Sequence, residues 1–171
     1  RKRLWLRHFN RTTGQRVERE VSPQQLVHYR DNWYLDAWCH LREDLRSFSV
    51  DALERCRVLD DVPALEMDPD ALKQAMQAGY GIFSGAPKAR ARLRFSAERA
   101  RWVSGEQWHP DQSAHVERDG SYVLEVPYSD DRELLGDVLR HGPACEVLDP
   151  PELRAKVAHA LRQALEHYAP P

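Results

Sequence analysis

The sequence has only three cysteines, and they lie far apart at Cys39, Cys56 and Cys145. Their number is odd, and none stands in the paired spacing of a zinc knuckle or a redox CxxC motif. This excludes a disulfide framework and a zinc ribbon as organising features. We expect free structural thiols in a reducing compartment.

Long apolar runs are also missing from the 171 residues. No segment is apolar and long enough to span a membrane, and no charged-then-apolar leader opens the chain. We therefore expect a soluble, cytoplasmic protein without a membrane partner. The chain starts with Arg1 rather than Met, so we expect that it is cut from a longer protein with an upstream domain.

Signatures of catalysis are scarce. No serine or cysteine stands in a nucleophile-elbow context, and His109 and His115 do not form a HExxH-like pair on a helix. The Gly-rich segment 79–87 lacks the Lys-Ser/Thr ending of a phosphate-binding P-loop and is interpreted as a linker. We expect a protein that is not an enzyme and that needs no cofactor and no metal.

Charge is unevenly distributed along the chain. Residues 1–30 hold eight basic and two acidic side chains, a net charge of +6, whereas the whole chain has a net charge of −2. Such asymmetry predicts a basic surface that attracts an anionic partner such as nucleic acid. The alternative is that these residues form a solvated linker.

The first half of the chain has the pattern of a β-rich domain. Apolar alternation and turn residues predict about five short strands within roughly fifty residues, which is typical of a small antiparallel barrel. The predicted strands are 4–9, 16–21, a segment that restarts after Pro23, 33–40 and 45–50. Asp68 and Pro69 then predict the start of a short helix. We place the first domain at 1–60 and a linker with a short helix at 61–87.

The second domain, 88–171, mixes strands and helices. The predicted order is β-α-β-β-α-β with an extra helix, the split βαβ arrangement of ferredoxin-like domains. Ser96 and Ser129 are the predicted caps of the first two helices, and Asp119-Gly120 is the predicted hairpin turn. In the last helix seven apolar positions fall on one face: Leu153, Val157, Ala160, Leu161, Ala164, Leu165 and Tyr168.

The predicted strand 89–95 carries a stripe of cations. Side chains alternate between the two faces of a strand, so four basic residues share one face, about 6.6 to 6.8 Å apart. This spacing is comparable to the phosphate spacing of a nucleic-acid strand. The alternative is a charged edge or exposed face that prevents aggregation. The stripe consists of Lys88, Arg90, Arg92 and Arg94.

The stretch "YRDNWYLDAW", residues 29–38, concentrates aromatic side chains. Alternation assigns Trp33, Leu35, Ala37 and Cys39 to the core and turns Tyr34 away from them. Pairing with the next strand is expected to bring an arginine and an aromatic ring near Tyr34. That set suits an anionic or stacked ligand, and the alternative is a contact that only stabilises the sheet.

Three separated motifs resemble the landmarks of the WYL domain: "VSP" at 21–23, "WYL" at 33–35 and "RSFSVD" at 46–51. Further segments are similar to the WCX extension that follows WYL domains in bacterial transcriptional regulators, among them "RFSAERARWV" and "VLDPPELRAKV". The resemblance implies an α+β chain, an Sm-like antiparallel β-barrel followed by a ferredoxin-like α/β domain. The third motif departs from the usual Asp-Arg-Ile and has Asp51-Ala52-Leu53.

The resemblance also implies partners and a site. Such proteins carry an N-terminal winged helix-turn-helix that binds promoter DNA, they form homodimers, and their WYL module senses a nucleic-acid or nucleotide-like effector such as single-stranded DNA. The motif positions Ser22, Tyr34 and Arg46 map onto the proposed site. The full candidate set for ligand binding is Ser22, Tyr34, Arg46, Phe48, His28 and Arg7, and the stripe 88–94 is a candidate for backbone contacts.

Two hypotheses follow. The chain is the effector-sensing and dimerising region of a regulator, or it is a dimerisation and protein-interaction module without a ligand. An enzyme acting on nucleotides ranks last because no general base, metal site or nucleophile is identified.

Overall fold

A computed structural model of the protein describes residues 1–77, 79–82 and 87–168. The chain divides into two compact units, Arg1–Met76 and Gln77–Pro171. Both units combine antiparallel strands with helices, so the α+β class predicted from sequence is confirmed. None of the described helices has the length and apolarity that a membrane crossing requires.

The first unit is a five-stranded antiparallel sheet with the strand order β4-β3-β2-β1-β5. A 3₁₀ turn, Val50–Ala52, leads from the fourth strand into the fifth. The strands are β1 (Lys2–Asn10), β2 (Gln15–Tyr29), β3 (Asn32–Cys39), β4 (Asp44–Ser49) and β5 (Leu53–Pro63), followed by α1 (Pro69–Gln77). As predicted, Asp68 caps α1: its Oδ1 accepts hydrogen bonds from the backbone N–H groups of Asp70 and Ala71.

The strands of the first unit differ from the predicted ones in two respects. No break occurs at Pro23, because β2 runs through it as one strand of 15 residues, and the ladder with β3 shifts register between Pro23 and Gln25. A proline, which has no N–H to donate, is tolerated at such an irregularity. The strand β5 was not predicted, because its exposed and charged start, "LERCR", lacks apolar alternation.

The core of the first unit lies on one side of the sheet, which we call the inner face. Leu6, Val21, Ala37, Cys39 and Phe48 are among its buried members, and Leu35 completes the set. The assignment of Trp33 to this core was wrong, since 52% of its surface is exposed. Trp33 lies beyond the core near the β2–β3 turn, where its ring contacts His28, with centroids 5.1 Å apart.

The second unit contains a four-stranded antiparallel sheet with the order β7-β8-β6-β9. Its elements follow the predicted order, β-α-β-β-α-β with a final helix. They are β6 (Ala89–Phe95), α2 (Ala97–Val103), β7 (Ser113–Val116), β8 (Tyr122–Tyr128), α3 (Asp131–Arg140), β9 (Cys145–Asp149) and α4 (Pro151–Glu166). Gly120, with φ +84°, makes the predicted hairpin turn between β7 and β8.

Helix boundaries in the second unit follow local capping chemistry. Ser96 caps α2 as predicted, accepting from the backbone N–H of Arg99 at 3.3 Å. The cap of α3 is Asp130 rather than Ser129: its carboxylate accepts from the backbone N–H of Arg132 at 3.0 Å. Of the seven apolar positions predicted for the last helix, Leu153 and Val157 are buried, and Tyr168 lies beyond the end of α4.

Part of the segment that was interpreted as a linker belongs to the second unit. Tyr80 is 4% exposed, its ring lies 6.4 Å from that of Trp108, and its hydroxyl donates to Asp137 at 2.9 Å. Gly81 adopts φ +64° beside the Glu133 carboxylate, where a Cβ atom would overlap that side chain. Residues 83–86 of the Gly-rich segment lie outside the described residues.

Candidate functional site

Tyr34 and Arg46 lie on opposite faces of the β3–β4 ladder. Tyr34 pairs with Ser49 and Ala37 pairs with Arg46, so the side chain of Arg46 leaves β4 on the same side as Phe48 and Leu35. β3 and β4 do pair, but their register places Tyr34 opposite Ser49 and Leu35 opposite Phe48. Arg46 and Phe48 therefore project from the face of the sheet opposite to that of Tyr34. The structure therefore does not assemble the predicted Tyr34–Arg46–Phe48 set.

Ser22 is fully buried, and its hydroxyl has internal partners. Its Oγ accepts from the backbone N–H of Leu65 at 2.8 Å and lies 2.8 Å from Nε2 of His40. Gln24 continues this network: its amide donates to the Leu65 carbonyl at 2.8 Å. Ser22 thus holds the segment after β5 against the sheet, and its predicted ligand contact stays a prediction.

The other predicted ligand residues are dispersed over the first unit. Phe48 is 5% exposed and belongs to the core, so its side chain is not at an exposed surface. His28 is exposed beside Trp33. Arg46 is exposed and lies 3.9 Å from the Asp44 carboxylate. Arg7, on the outer face of β1, donates to Glu18 at 2.8 Å.

A polar cluster near Tyr34 was missed by the sequence analysis. Asp51 accepts from Arg11 at 2.6 Å and from Asn32 at 2.9 Å, and it also accepts from the Ser49 hydroxyl. The hydrogen bond from Ser49, followed by those from Arg11 and Asn32, lowers the pKa of Asp51. A cation is thus supplied to this cluster by Arg11, which lies forty residues from Asp51 in sequence and is linked to it by no local pattern.

A second group, of which the sequence predicted only Arg7, surrounds Trp5 on the outer face of β1 and β5. The guanidinium carbon of Arg57 lies 5.4 Å from the centroid of the Trp5 ring, and that of Arg7 lies 6.0 Å away. Arg55 pairs with Arg7 in the β1–β5 ladder. The sequence signal is the pair "RCR" at 55–57, which places two arginines on one face of a strand.

The predicted cation stripe occurs on β6 with the expected alternation. Arg90, Arg92 and Arg94 are exposed, whereas the intervening residues of the strand are buried. β6 is an interior strand of its sheet, so the alternative of a charged edge does not apply. Arg94 forms an ion pair with Glu146 at 2.5 Å, and Arg92 pairs with Glu125 in one neighbouring strand and Asp149 in the other. Lys88 is exposed just before the strand.

Residues 1–77, 79–82 and 87–168 contain no group of three His, Cys, Asp or Glu side chains arranged to hold a metal ion. All three cysteines are free. Burial raises the pKa of the Cys145 thiol to about 12, so this thiol is protonated and unreactive at neutral pH.

The fold defines a chain of two α+β units in series, and comparison with known proteins identifies both. Residues 1–58 match the WYL domain and residues 87–165 match the WCX domain. The chain therefore belongs to the WYL–WCX family.

Two curated relatives match this chain over most of its length, across both domains. Protein PafC of Mycobacterium leprae is 28% identical over 152 residues, which is 89% of this chain and 45% of PafC. The uncharacterized HTH-type transcriptional regulator YobV of Bacillus subtilis is 24% identical over 167 residues, 94% of this chain and 50% of YobV. The chain thus spans about half the length of the curated relatives it matches.

Two solved structures align with nearly the whole chain. A CRISPR Cas-related protein aligns with 98% of this chain and 47% of its own, with a TM-score of 0.61 and 8% identity, which shows a shared fold alone. The proteasome accessory factor B/C (PafBC) of Arthrobacter aurescens aligns with 99% of this chain and 25% of its own, with a TM-score of 0.44 and 23% identity.

Proposed function

We propose that this chain is the effector-sensing and dimerising region of a bacterial transcriptional regulator. In this proposal an anionic nucleic-acid effector, single-stranded DNA, binds the WYL domain. Binding then controls a winged helix-turn-helix that lies N-terminal to this chain and contacts promoter DNA. The protein acts in the cytoplasm, as a binding protein rather than as an enzyme.

The observation that carries this proposal is the succession of a WYL and a WCX domain in a chain that spans about half of an HTH-type transcriptional regulator. The half of that relative outside the match leaves room for a DNA-binding domain. The strand order β9-β6-β8-β7, reached through a β-α-β-β-α-β sequence, supports a ferredoxin-like assignment for the WCX unit. The five-stranded antiparallel sheet with the order β4-β3-β2-β1-β5 supports an Sm-like barrel for the WYL unit.

The charge of the WYL domain supports an anionic effector. Residues 1–58 contain twelve basic and eight acidic side chains, a net charge of +4, although the whole chain has a net charge of −2. Arg46, Arg55 and Arg57 are all exposed. A surface of this kind attracts polyanions, and its affinity for them falls steeply with salt.

An effector can switch the regulator only by binding two arrangements of the dimer with different affinities. We propose that single-stranded DNA favours one such arrangement and so changes the orientation of the attached DNA-binding domains. The coupling is reciprocal: promoter DNA bound by the complete regulator would change the affinity for the effector by the same factor.

Fluorescence anisotropy of a labelled single strand of about 20 nucleotides, titrated with this chain over a salt series, tests the effector. We expect binding at low salt that weakens linearly in a plot of log affinity against log salt concentration. Absence of binding at low salt rejects a nucleic-acid effector. The absorbance ratio and mass spectrum of co-purifying material provide an independent check.

The motif residues are tested one at a time, because Tyr34 and Arg46 lie on opposite faces. Tyr34→Leu removes the aromatic ring with its hydroxyl, and Arg46→Gln removes the guanidinium group with its charge. A residue that contacts the effector should change its affinity, whereas unchanged binding by both variants rejects the motif site and leaves the effector proposal intact.

A dimerisation module without a ligand is the second candidate, and the end of α4 favours it. Leu161 is 45% and Leu165 69% exposed near the end of α4, and Tyr168, just beyond the helix, is 85% exposed, whereas Leu153 and Val157 of the same helix are buried. Exposed apolar faces of this kind commonly mark association sites. This candidate predicts dimers in light scattering that Leu165→Glu converts to monomers, together with no binding of any single strand.

A further inference from the structure

We propose that the backbone of a single-stranded nucleic acid crosses the outer face of β1 and β5 at a site formed by Trp5, Arg7, Arg55 and Arg57. We call this group the Trp5 site. This inference rests on the proposed function, since it places the effector of that function on particular residues. None of the four belongs to the three sequence motifs of the WYL domain, which lie on β2, β3 and β4.

The register of the ladder brings the four side chains together. Trp5 pairs with Arg57, and Arg7 pairs with Arg55, so both pairs project from the same side of adjacent strands. Leu6, between them in β1, is completely buried on the inner face. The Trp5 site is therefore on the outer face, where Arg55 and Arg57 are exposed and Trp5 is half-buried.

The two arginines of β5 are available to an anion. Among the residues that the structure describes, neither Arg55 nor Arg57 has a carboxylate within ion-pair distance. Their acidic neighbours are engaged elsewhere: Glu54 bonds to Arg16 at 2.8 Å, and Glu18 bonds to Arg7 at 2.8 Å. Glu20 lies 3.9 Å from Arg3. The positive charge that is not neutralised by a carboxylate thus lies on Arg55 and Arg57 of β5. Arg7 adds a third cation, which already forms an ion pair with Glu18.

The chemistry of the site fits a flexible polyanion. Arg55 and Arg57 are two residues apart on one strand, so their Cα atoms are separated by about 6.6 to 6.8 Å, which suits successive phosphates. Trp5 provides an aromatic surface between guanidinium groups, the combination on which unpaired bases stack in proteins that bind single strands. A duplex keeps its bases stacked inside and gains nothing from Trp5, so the site favours a single strand.

Access is also favourable, because β5 ends the sheet. In the described part of the first unit no strand pairs with the outer edge of β5. A ligand can therefore approach the Trp5 site from the face and from the edge. By contrast, both edges of β1 are paired with neighbouring strands, β2 on one side and β5 on the other.

Charge reversal on β5 tests the inference with the same labelled single strand. Arg55→Glu combined with Arg57→Glu is expected to weaken binding at least about tenfold and to reduce the slope of log affinity against log salt by about 1.4, as the loss of two phosphate contacts requires. The matched control is Arg42→Glu combined with Lys73→Glu, which changes the charge of the same unit equally at two exposed positions. The control should retain the original slope.

A second variant separates stacking from charge. Trp5→Leu keeps an apolar side chain at this half-buried position and should weaken binding by about fivefold or more with an unchanged salt slope. Circular dichroism verifies that both variants fold. A duplex of the same sequence should compete less well than the single strand.

The outcomes separate the two proposals. If the wild type, the β5 double variant and its control all bind the single strand equally strongly, the Trp5 site is overturned and the proposed function stands. If the duplex competes for the Trp5 site as well as the unlabelled single strand does, the proposal that the site prefers a single strand is overturned. Failure of the wild type to bind any strand at low salt overturns the proposed function and the Trp5 site with it.

Discussion

The rings of His8 and Phe48 meet edge to face, with their centroids 5.4 Å apart. His8 lies on β1 and Phe48 on β4, and two strands separate them in the sheet. In a flat sheet these strands would be about 14 Å apart, three times the spacing of neighbouring strands. The sheet must therefore curl until its first and fourth strands face each other, and this contact marks where the inner face encloses its core.

Removal of the Phe48 ring should open that core. Phe48→Ala is expected to lower the free energy of unfolding by about 3 to 5 kcal/mol, because a buried aromatic side chain is lost and leaves a cavity. Urea unfolding followed by tryptophan fluorescence measures the change. Leu41→Ala is the control, since Leu41 is 64% exposed, and it should stay within about 0.5 kcal/mol of the wild type. A small effect of Phe48→Ala would contradict the core assignment.

Ser22→Ala is expected to destabilise the protein through the segment after β5. The substitution removes the buried hydroxyl that accepts from the N–H of Leu65, which costs about 0.5 to 1.5 kcal/mol. Amide hydrogen exchange at Leu65 should accelerate, whereas exchange in the β1–β2 ladder should change less. If Ser22→Ala weakens effector binding while stability and Leu65 exchange stay unchanged, then Ser22 acts as the ligand contact predicted from its motif.

The second unit should lose stability in mild acid because of His141. This side chain is 7% exposed, stacked on Trp108 with ring centroids 5.7 Å apart, and its two buried ring nitrogens have no hydrogen-bond partner among the described residues. Burial, followed by the charges of Arg140 and Arg99, lowers its pKa, and the weaker influence of Glu106 and Asp137 opposes this shift. The folded state thus favours neutral imidazole.

Proton uptake by the unfolded chain determines the direction in which stability changes with pH. Below the unfolded-state pKa of about 6.5 the unfolded chain binds a proton that folded His141 binds less readily, so stability falls as pH decreases below that value. We expect His141→Phe, which retains an aromatic ring, to show a smaller loss of stability between about pH 7 and pH 5 in urea unfolding. Histidines of the first unit contribute equally to both proteins, so the difference reports on position 141. Parallel curves for the two proteins would contradict the prediction.

Local patterns predicted the elements of this chain well where one face of an element is buried. The alternation of β6, the caps Asp68 and Ser96 and the hairpin at Gly120 are all properties of a few adjacent residues, and the structure confirms them. The strand β5 escaped prediction because it is an exposed edge strand, held by pairing with β1 and not by alternation of its own residues.

The candidate site was less predictable because it depends on register. Period-two alternation gives the face of Tyr34 within β3 and of Arg46 within β4, but not how the two strands align. A shift of one residue exchanges the faces. Contacts between Arg11 and Asp51, or between Trp5 and Arg57, join residues about forty to fifty positions apart, and only the folded sheet brings them together.

The cation stripe on β6 is expected to contribute little to nucleic-acid binding. Arg94 is paired with Glu146, Arg92 lies between Glu125 and Asp149, and Arg90 donates to the Asp111 carbonyl at 2.9 Å. We expect a variant with alanine at Arg90, Arg92 and Arg94 to bind a labelled single strand within about threefold of the wild type, with a similar salt slope. Alanine at the exposed residues Arg101, Arg118 and Arg162 is the matched control, because it removes the same charge from the same unit. A tenfold loss confined to the stripe variant, with a slope reduced by about 2, would instead show that the stripe contacts phosphates as its spacing first suggested.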